Sequence, residues 1–128
     1  MTRSGLCIAL AAGTAAAWLA SPAGAAEPSR FAQACEKAAR TALVATFTFE
    51  VNNIQDDTPA ARTVVVSYTA TSRSSGKVYP TAFTCVFTDT SDPQNIVLDQ
   101  AVEDVRPFGP QSVSALNHML QAEGFQKP

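Results

Sequence analysis

The chain has 128 residues, a formal net charge of −2 and 46% apolar residues. That length holds one domain. A weakly acidic chain carries no electrostatic footprint for DNA, RNA or an anionic membrane, so nucleic acid is not expected as a partner.

Met1-Thr2-Arg3 is a short basic start, and an apolar run follows from Leu6 to about Ala20. Ser21-Pro22-Ala23-Gly24-Ala25 then supplies a helix breaker and a small-x-small pattern. This is the layout of a Sec-type bacterial signal peptide, with cleavage expected after Ala25. The apolar run is shorter than the ~20 residues of a spanning helix, so no membrane anchor is expected after cleavage. Cys7 precedes most of that run, whereas a lipid-bearing cysteine would follow it. Residues 1–25 are therefore expected to be removed, leaving 26–128 as a single periplasmic or secreted domain. In an exported chain the two remaining cysteines, Cys35 and Cys85, are expected to form one disulfide.

Glu27-Pro28-Ser29 opens the domain. Pro28 suits a first helical turn and Ser29 suits a cap, and both positions stay open for the helix start. From Arg30 to Arg40 the chain is Ala-rich without a breaker. Phe31, Cys35 and Ala38 recur at helical spacing, which turns Cys35 inward. Glu36 and Arg40 stand four apart in the favourable order.

The period becomes two near Ala42. Leu43, Ala45, Phe47, Phe49 and Val51 read as one face of a first strand, with Asn52-Asn53 and Gln55–Pro59 ending it. A second strand is expected from about Arg62 to Thr71. Its Val64, Val66, Tyr68 and Ala70 side is buried and its Thr63, Val65, Ser67 and Thr69 side is solvated. Ser72–Pro80 reads as a protruding hairpin tip. Thr81–Asp89 is the central strand, with Phe83, Cys85 and Phe87 on one side. Thr90–Asn95 is a turn. A fourth strand begins at Ile96 and fades near Val105, with Asp99, Glu103 and Asp104 suggesting a charged edge. Arg106–Pro110 breaks the sheet. Pro110 then starts a last helix with Val113, Leu116 and Leu120 inward. Gly124 and Phe125 predict a Schellman ending, Phe125 folding back on Leu120, and Gln126–Pro128 is expected to fray. The fold class expected is α+β: a four-stranded antiparallel sheet, an N-terminal helix disulfide-linked to it and a C-terminal helix. Phe47, Phe49, Val64, Val66, Phe83 and Phe87 are expected to supply most of the core.

Chemistry-bearing residues are few. His118 is the only histidine, with Ser114 one helical turn before it. A Ser–His pair needs an orienting carboxylate and an oxyanion hole, and neither is evident, so a surface histidine is the preferred reading. Asp89, Asp92 and Asp99 lack EF-hand spacing and the closing Glu, and read as turn residues. No phosphate loop, Cys-x-x-Cys or zinc-type His pair is present. No catalytic residue, metal or cofactor is therefore expected. The polar tip is the feature left over: Arg73, Ser75, Gly76, Lys77 and Tyr79 place two positive charges and an aromatic ring on a strand-mounted loop, a common site of recognition.

Two resemblances follow from short motifs. The helix segment Ala34-Cys35-Glu36-Lys37-Ala38 with the strand segment Phe83-Thr84-Cys85 resembles a group of small exported bacterial proteins of unassigned function, over most of the domain. Ser75-Gly76-Lys77-Val78-Tyr79 is similar to the Ser-Gly-x-x-Tyr loop of periplasmic C-type lysozyme inhibitors, where the loop enters a lysozyme cleft. This chain departs from that family in opening with a helix, in lacking the downstream Trp and Lys-Gly, and in having its one tryptophan at Trp18. The expected function is a non-enzymatic periplasmic or secreted module that binds another protein or an envelope component. The alternative is an inhibitor of a secreted or foreign lysozyme-like hydrolase acting through Ser72–Tyr79.

Overall fold

A computed structural model describes residues 28–128 of the chain. The signal-peptide reading of residues 1–25 lies outside the described residues. Helix α1 spans Arg30–Ala42. Strands β1 (Phe47–Asp56), β2 (Thr63–Ser72), β3 (Val78–Phe87), β4 (Leu98–Glu103) and β5 (Arg106–Pro107) follow, and helix α2 spans Pro110–Ala122. The sheet is an antiparallel meander in the order β1-β2-β3-β4-β5. The class is α+β, with five strands where the sequence suggested four.

Ser29 caps α1, its Oγ accepting the Ala32 N–H at 3.1 Å. The helix buries Phe31, Ala32, Ala34, Cys35, Ala38 and Ala39. Four of those six are alanines, whose small side chains let the helix lie close to β2 and β3. At that approach Cys35 and Cys85 are joined in a disulfide with their Cα atoms 5.8 Å apart, both fully buried. Beneath the helix, Val64, Val66 and Tyr68 of β2 and Phe83, Cys85 and Phe87 of β3 form the centre of the core. Phe31 meets the Phe87 ring edge-on at 5.3 Å. The opposite side of β2, Thr63 to Thr71, is half-exposed, so among the described residues the sheet is covered on one face only.

Several boundaries differ from the sequence reading, each for a local reason. Leu43 is the C-cap of α1 and not a strand residue, so β1 starts at Phe47. Asn52-Asn53 does not end β1. The pairing register shifts between Val51 and Asn53, a bulge that inserts Asn52, whose Nδ2 donates to Thr69 Oγ1 at 2.8 Å. The strand then runs on to Asp56. Because β1 is the sheet edge, Phe47 and Phe49 are half-buried flanks of the core and not its centre. Val78–Pro80 belongs to β3, pairing with Thr71–Thr69. Pro80 is tolerated because β4 pairs with β3 only from Phe83 onward, leaving this part of β3 an edge on that side.

At the far end, Asp104 at φ 58 turns the chain in two residues, a conformation that Asp tolerates better than most side chains. Arg106 and Pro107 then pair back with Glu103 and Val102 as β5. Farther along this edge Phe108 N–H donates to the Ala101 carbonyl, and at Leu98 the edge is closed by Asn117 of α2. Its Oδ1 accepts the Leu98 N–H at 2.8 Å and its Nδ2 donates to the Leu98 carbonyl at 2.9 Å. Helix α2 ends in a Schellman motif: Phe125 N–H donates to the Leu120 carbonyl, Gly124 N–H donates to that of Gln121, and Gly124 has φ +87. In the tail, expected to fray, Gln126 and Lys127 are tied back to the fold, the Gln126 Nε2 donating to Asn117 Oδ1. Lys127 N–H donates to Asn95 Oδ1 and its ammonium pairs with Asp92, while Arg30 stacks on Phe125 at 5.0 Å.

Candidate functional site

The five tip residues do not converge. With β3 starting at Val78, the loop shrinks to Arg73–Lys77. It is braced internally: Ser72 N–H donates to the Lys77 carbonyl, and Gly76 N–H to that of Ser72. Ser75 N–H donates to Ser72 Oγ and Lys77 N–H to Ser75 Oγ. Gly76 has φ +74, a left-handed turn that glycine adopts without cost. Arg73 folds back, its Nε donating to the Ala45 carbonyl at 3.1 Å. Lys77 is exposed and in no ion pair among the described residues. Tyr79 leaves the tip altogether. It pairs with Ala70 on the helix side of the sheet and meets the Phe47 ring edge-on at 5.7 Å.

That placement exposes a different feature. Helix α1 stops at Ala42, whereas the β2–β3 hairpin continues past it. Among the described residues the helix-side face of the sheet is therefore uncovered at this end, as a recess of about 320 Å³. Its floor is Tyr68, Ala70, Tyr79 and Thr81. One wall is Leu43, Val44 and Phe47, and the other is Glu103, Asp104 and Arg106. Among the described residues the large apolar side chains left exposed are Val44 at 61%, Val78 at 59%, Tyr79 at 45% and Val105 at 80%. Val44 and Tyr79 line the recess and Val105 lies between Asp104 and Arg106 of its wall, whereas Val78, paired with Thr71, stands on the opposite face of the sheet. Single exposed apolar residues are ordinary, but two in one hollow with a third beside its wall are not.

The recess has one polar centre. The Tyr68 hydroxyl donates to Glu103 Oε2 at 3.0 Å. Burial, and then the neighbouring Glu103 charge, hold the Tyr68 phenol far above the usual tyrosine range. It stays protonated and remains a donor to the carboxylate. Glu103 thus faces inward, opposite Phe83, and does not serve as a charged guard of the sheet edge. Sequence reading missed this pair. The available signal was Tyr68 itself: a tyrosine in a buried series brings a hydroxyl that needs a partner.

A second hollow of about 650 Å³ lies between β4 and α2. Asp99, Ser114 and His118 line it, together with Phe108, Val113 and Asn117. The fold thus brings a carboxylate to the side of the Ser114–His118 pair. Among the described residues no hydrogen bond joins any two of the three, and a nucleophile–base–orienter relay needs those bonds. Asp89 and Asp92 are occupied in turns. Asp89 accepts from Ser91 N–H and Oγ, and Asp92 from Gln94 N–H and Lys127. Backbone hydrogen bonds, from Ser91 and from Gln94, are the main cause that lowers each carboxyl below its ordinary value. No group of three or more metal-ligating side chains converges among the described residues, and no helix there is long and apolar enough to cross a membrane.

No protein-family model, curated protein or solved structure matches this chain.

Proposed function

We propose that the chain is an exported, non-enzymatic binding module of the periplasm or the extracellular space. It receives a partner in the recess between the end of α1 and the β4–β5 turn. The observation that carries this reading is the exposure of Val44 and Tyr79 in one concave, aromatic-floored hollow, with exposed Val105 between Asp104 and Arg106 of its wall. Interfaces are built this way: an apolar, aromatic centre in a depression, with charged groups at the rim. The disulfide, which persists in an oxidising compartment, supports the location. The test is capture from an extract of the producing cells on immobilised domain, comparing the parent with Tyr79→Ala and Val44→Asp. The reading predicts a component retained by the parent and lost from both variants. Equal retention on all three would contradict it.

A second reading is inhibition of a lysozyme-like hydrolase through Ser72–Tyr79. It is favoured by the internal bracing of Arg73–Lys77, since a pre-ordered loop is what tight inhibitors present. Addition of the purified domain to a lysozyme assay decides it. Loss of activity that Gly76→Ala or Lys77→Ala relieves would support inhibition, and unchanged activity at excess domain would exclude it for that enzyme.

A further inference from the structure

We infer that the occupant of the recess is the ammonium group of a lysine side chain on a partner protein, held against Tyr79 and Phe47 with its charge on Glu103. The inference rests on the binding reading above and names its chemistry. Glu103 is half-buried and carries a carboxylate in the recess wall. One of its oxygens accepts from Tyr68. Among the described residues no cation pairs with it, although Arg106 stands directly opposite on β5. A half-buried carboxylate in a concave wall without an ion-pair partner favours a cation that comes from outside.

The rest of the lining suits an alkylammonium group. Tyr79 and Phe47 present rings on the floor and the opposite wall, while the Tyr68 ring, stacked on Phe49, offers the recess its hydroxyl. Aromatic faces attract cations, most strongly where water is excluded, and the four-carbon stem of lysine packs on apolar surface while its head stays paired. Asp104 adds a second negative charge at the rim, so the lining sums to −1 when Arg106 is counted. The same face already holds one cation on an aromatic ring: the Arg40 guanidinium lies 4.4 Å from the Phe49 centroid. A macromolecular source is favoured over a free amine. A small ion would leave the exposed rim of Val44 and Val105 uncovered, whereas a protein surface carrying the lysine would bury it.

The test uses the full folded domain and three probes: Nα-acetyl-lysine-methylamide, its neutral isostere Nα-acetyl-norleucine-methylamide, and choline. Binding is read by NMR from the backbone and ring resonances of Tyr68, Tyr79 and Glu103. The lysine compound should bind at least about fivefold more tightly than the norleucine compound. Glu103→Gln, which keeps an acceptor for Tyr68, should remove most of that preference, as should Tyr79→Leu. Arg106→Ala should strengthen lysine binding by about twofold by removing the competing positive charge. Equal affinity for norleucine would overturn the cation while leaving a binding recess. Tighter binding of choline than of the lysine compound would overturn the lysine source. No perturbation by any probe would also overturn the inference, and the separate capture comparison with Tyr79→Ala would then decide the fate of the recess itself.

Discussion

Asn117→Ala tests how the sheet is closed on its α2 side. The Asn117 amide takes the place of a neighbouring strand, meeting both the N–H and the carbonyl of Leu98. Leu98 is only 2% exposed, so water reaches those backbone groups poorly once the amide is gone. Two lost hydrogen bonds are worth about 1 kcal/mol each, and leaving buried groups unmet raises the cost toward 3–4 kcal/mol. Alanine is the better helix former by roughly 0.6 kcal/mol, which offsets part of it. The expected loss is therefore about 2–3 kcal/mol, seen in urea unfolding as a lower midpoint at unchanged slope. The adjacent exposed substitution His118→Ala should stay within about 0.5 kcal/mol of the parent. A loss below about 0.5 kcal/mol for Asn117→Ala would refute the reasoning, since it would mean that water substitutes for the amide at the β4 edge.

Replacing both Cys35 and Cys85 by alanine should lower stability by about 4 kcal/mol, from the loop closed across a sequence separation of 50. Non-reducing peptide mapping of the parent should recover the Cys35–Cys85 link. Acid should destabilise the domain partly through Asp56: burial raises its pKa, but hydrogen bonds from Ser29 and Thr58 outweigh that and lower it below 3.8. A depressed folded value means stabilisation that is complete above the unfolded pKa and lost as pH falls through the folded one. Thermal midpoints between pH 6 and pH 2.5 should therefore fall less steeply in Asp56→Asn than in the parent, and parallel curves would count against the network. Gly76→Ala should cost about 1 kcal/mol through its left-handed backbone alone, because its side is open space, while Lys77→Ala should be neutral by the same unfolding assay.

What could be read from the sequence was what periodicity and terminal chemistry carry. The alternation of Val64, Val66, Phe83 and Phe87 placed the core, and the Gly124-Phe125 pair announced the end of α2. Alternation does not say which strand is an edge, so Phe47 and Phe49 looked central and are half-buried. Asn52-Asn53 reads equally as a turn or a bulge, and only the pairing with β2 selects the bulge. The charge of Glu103 suggested the outside, but bulging of β4 against β3 between Val86 and Phe87 sets its parity inward. The tip residues are adjacent in sequence. Strand pairing nevertheless sends Tyr79 to one face and Arg73 back toward Ala45, so proximity along the chain overstated proximity in space. The recess was invisible because it depends on where α1 stops relative to the hairpin beside it.

The central claim is that partners meet this protein at the recess and not on the open face of the sheet. Site-specific photo-crosslinking tests it most directly, with a benzophenone side chain placed at Tyr79 or at Thr84 in separate preparations and exposed to extract of the producing cells. Position 79 lies in the recess, and position 84 lies on the uncovered face between buried Phe83 and Cys85. The account predicts a discrete crosslinked product from position 79 that excess lysine-bearing peptide suppresses, and none from position 84. A product from position 84 alone would contradict it and move the binding surface to the threonine- and valine-bearing side of the sheet.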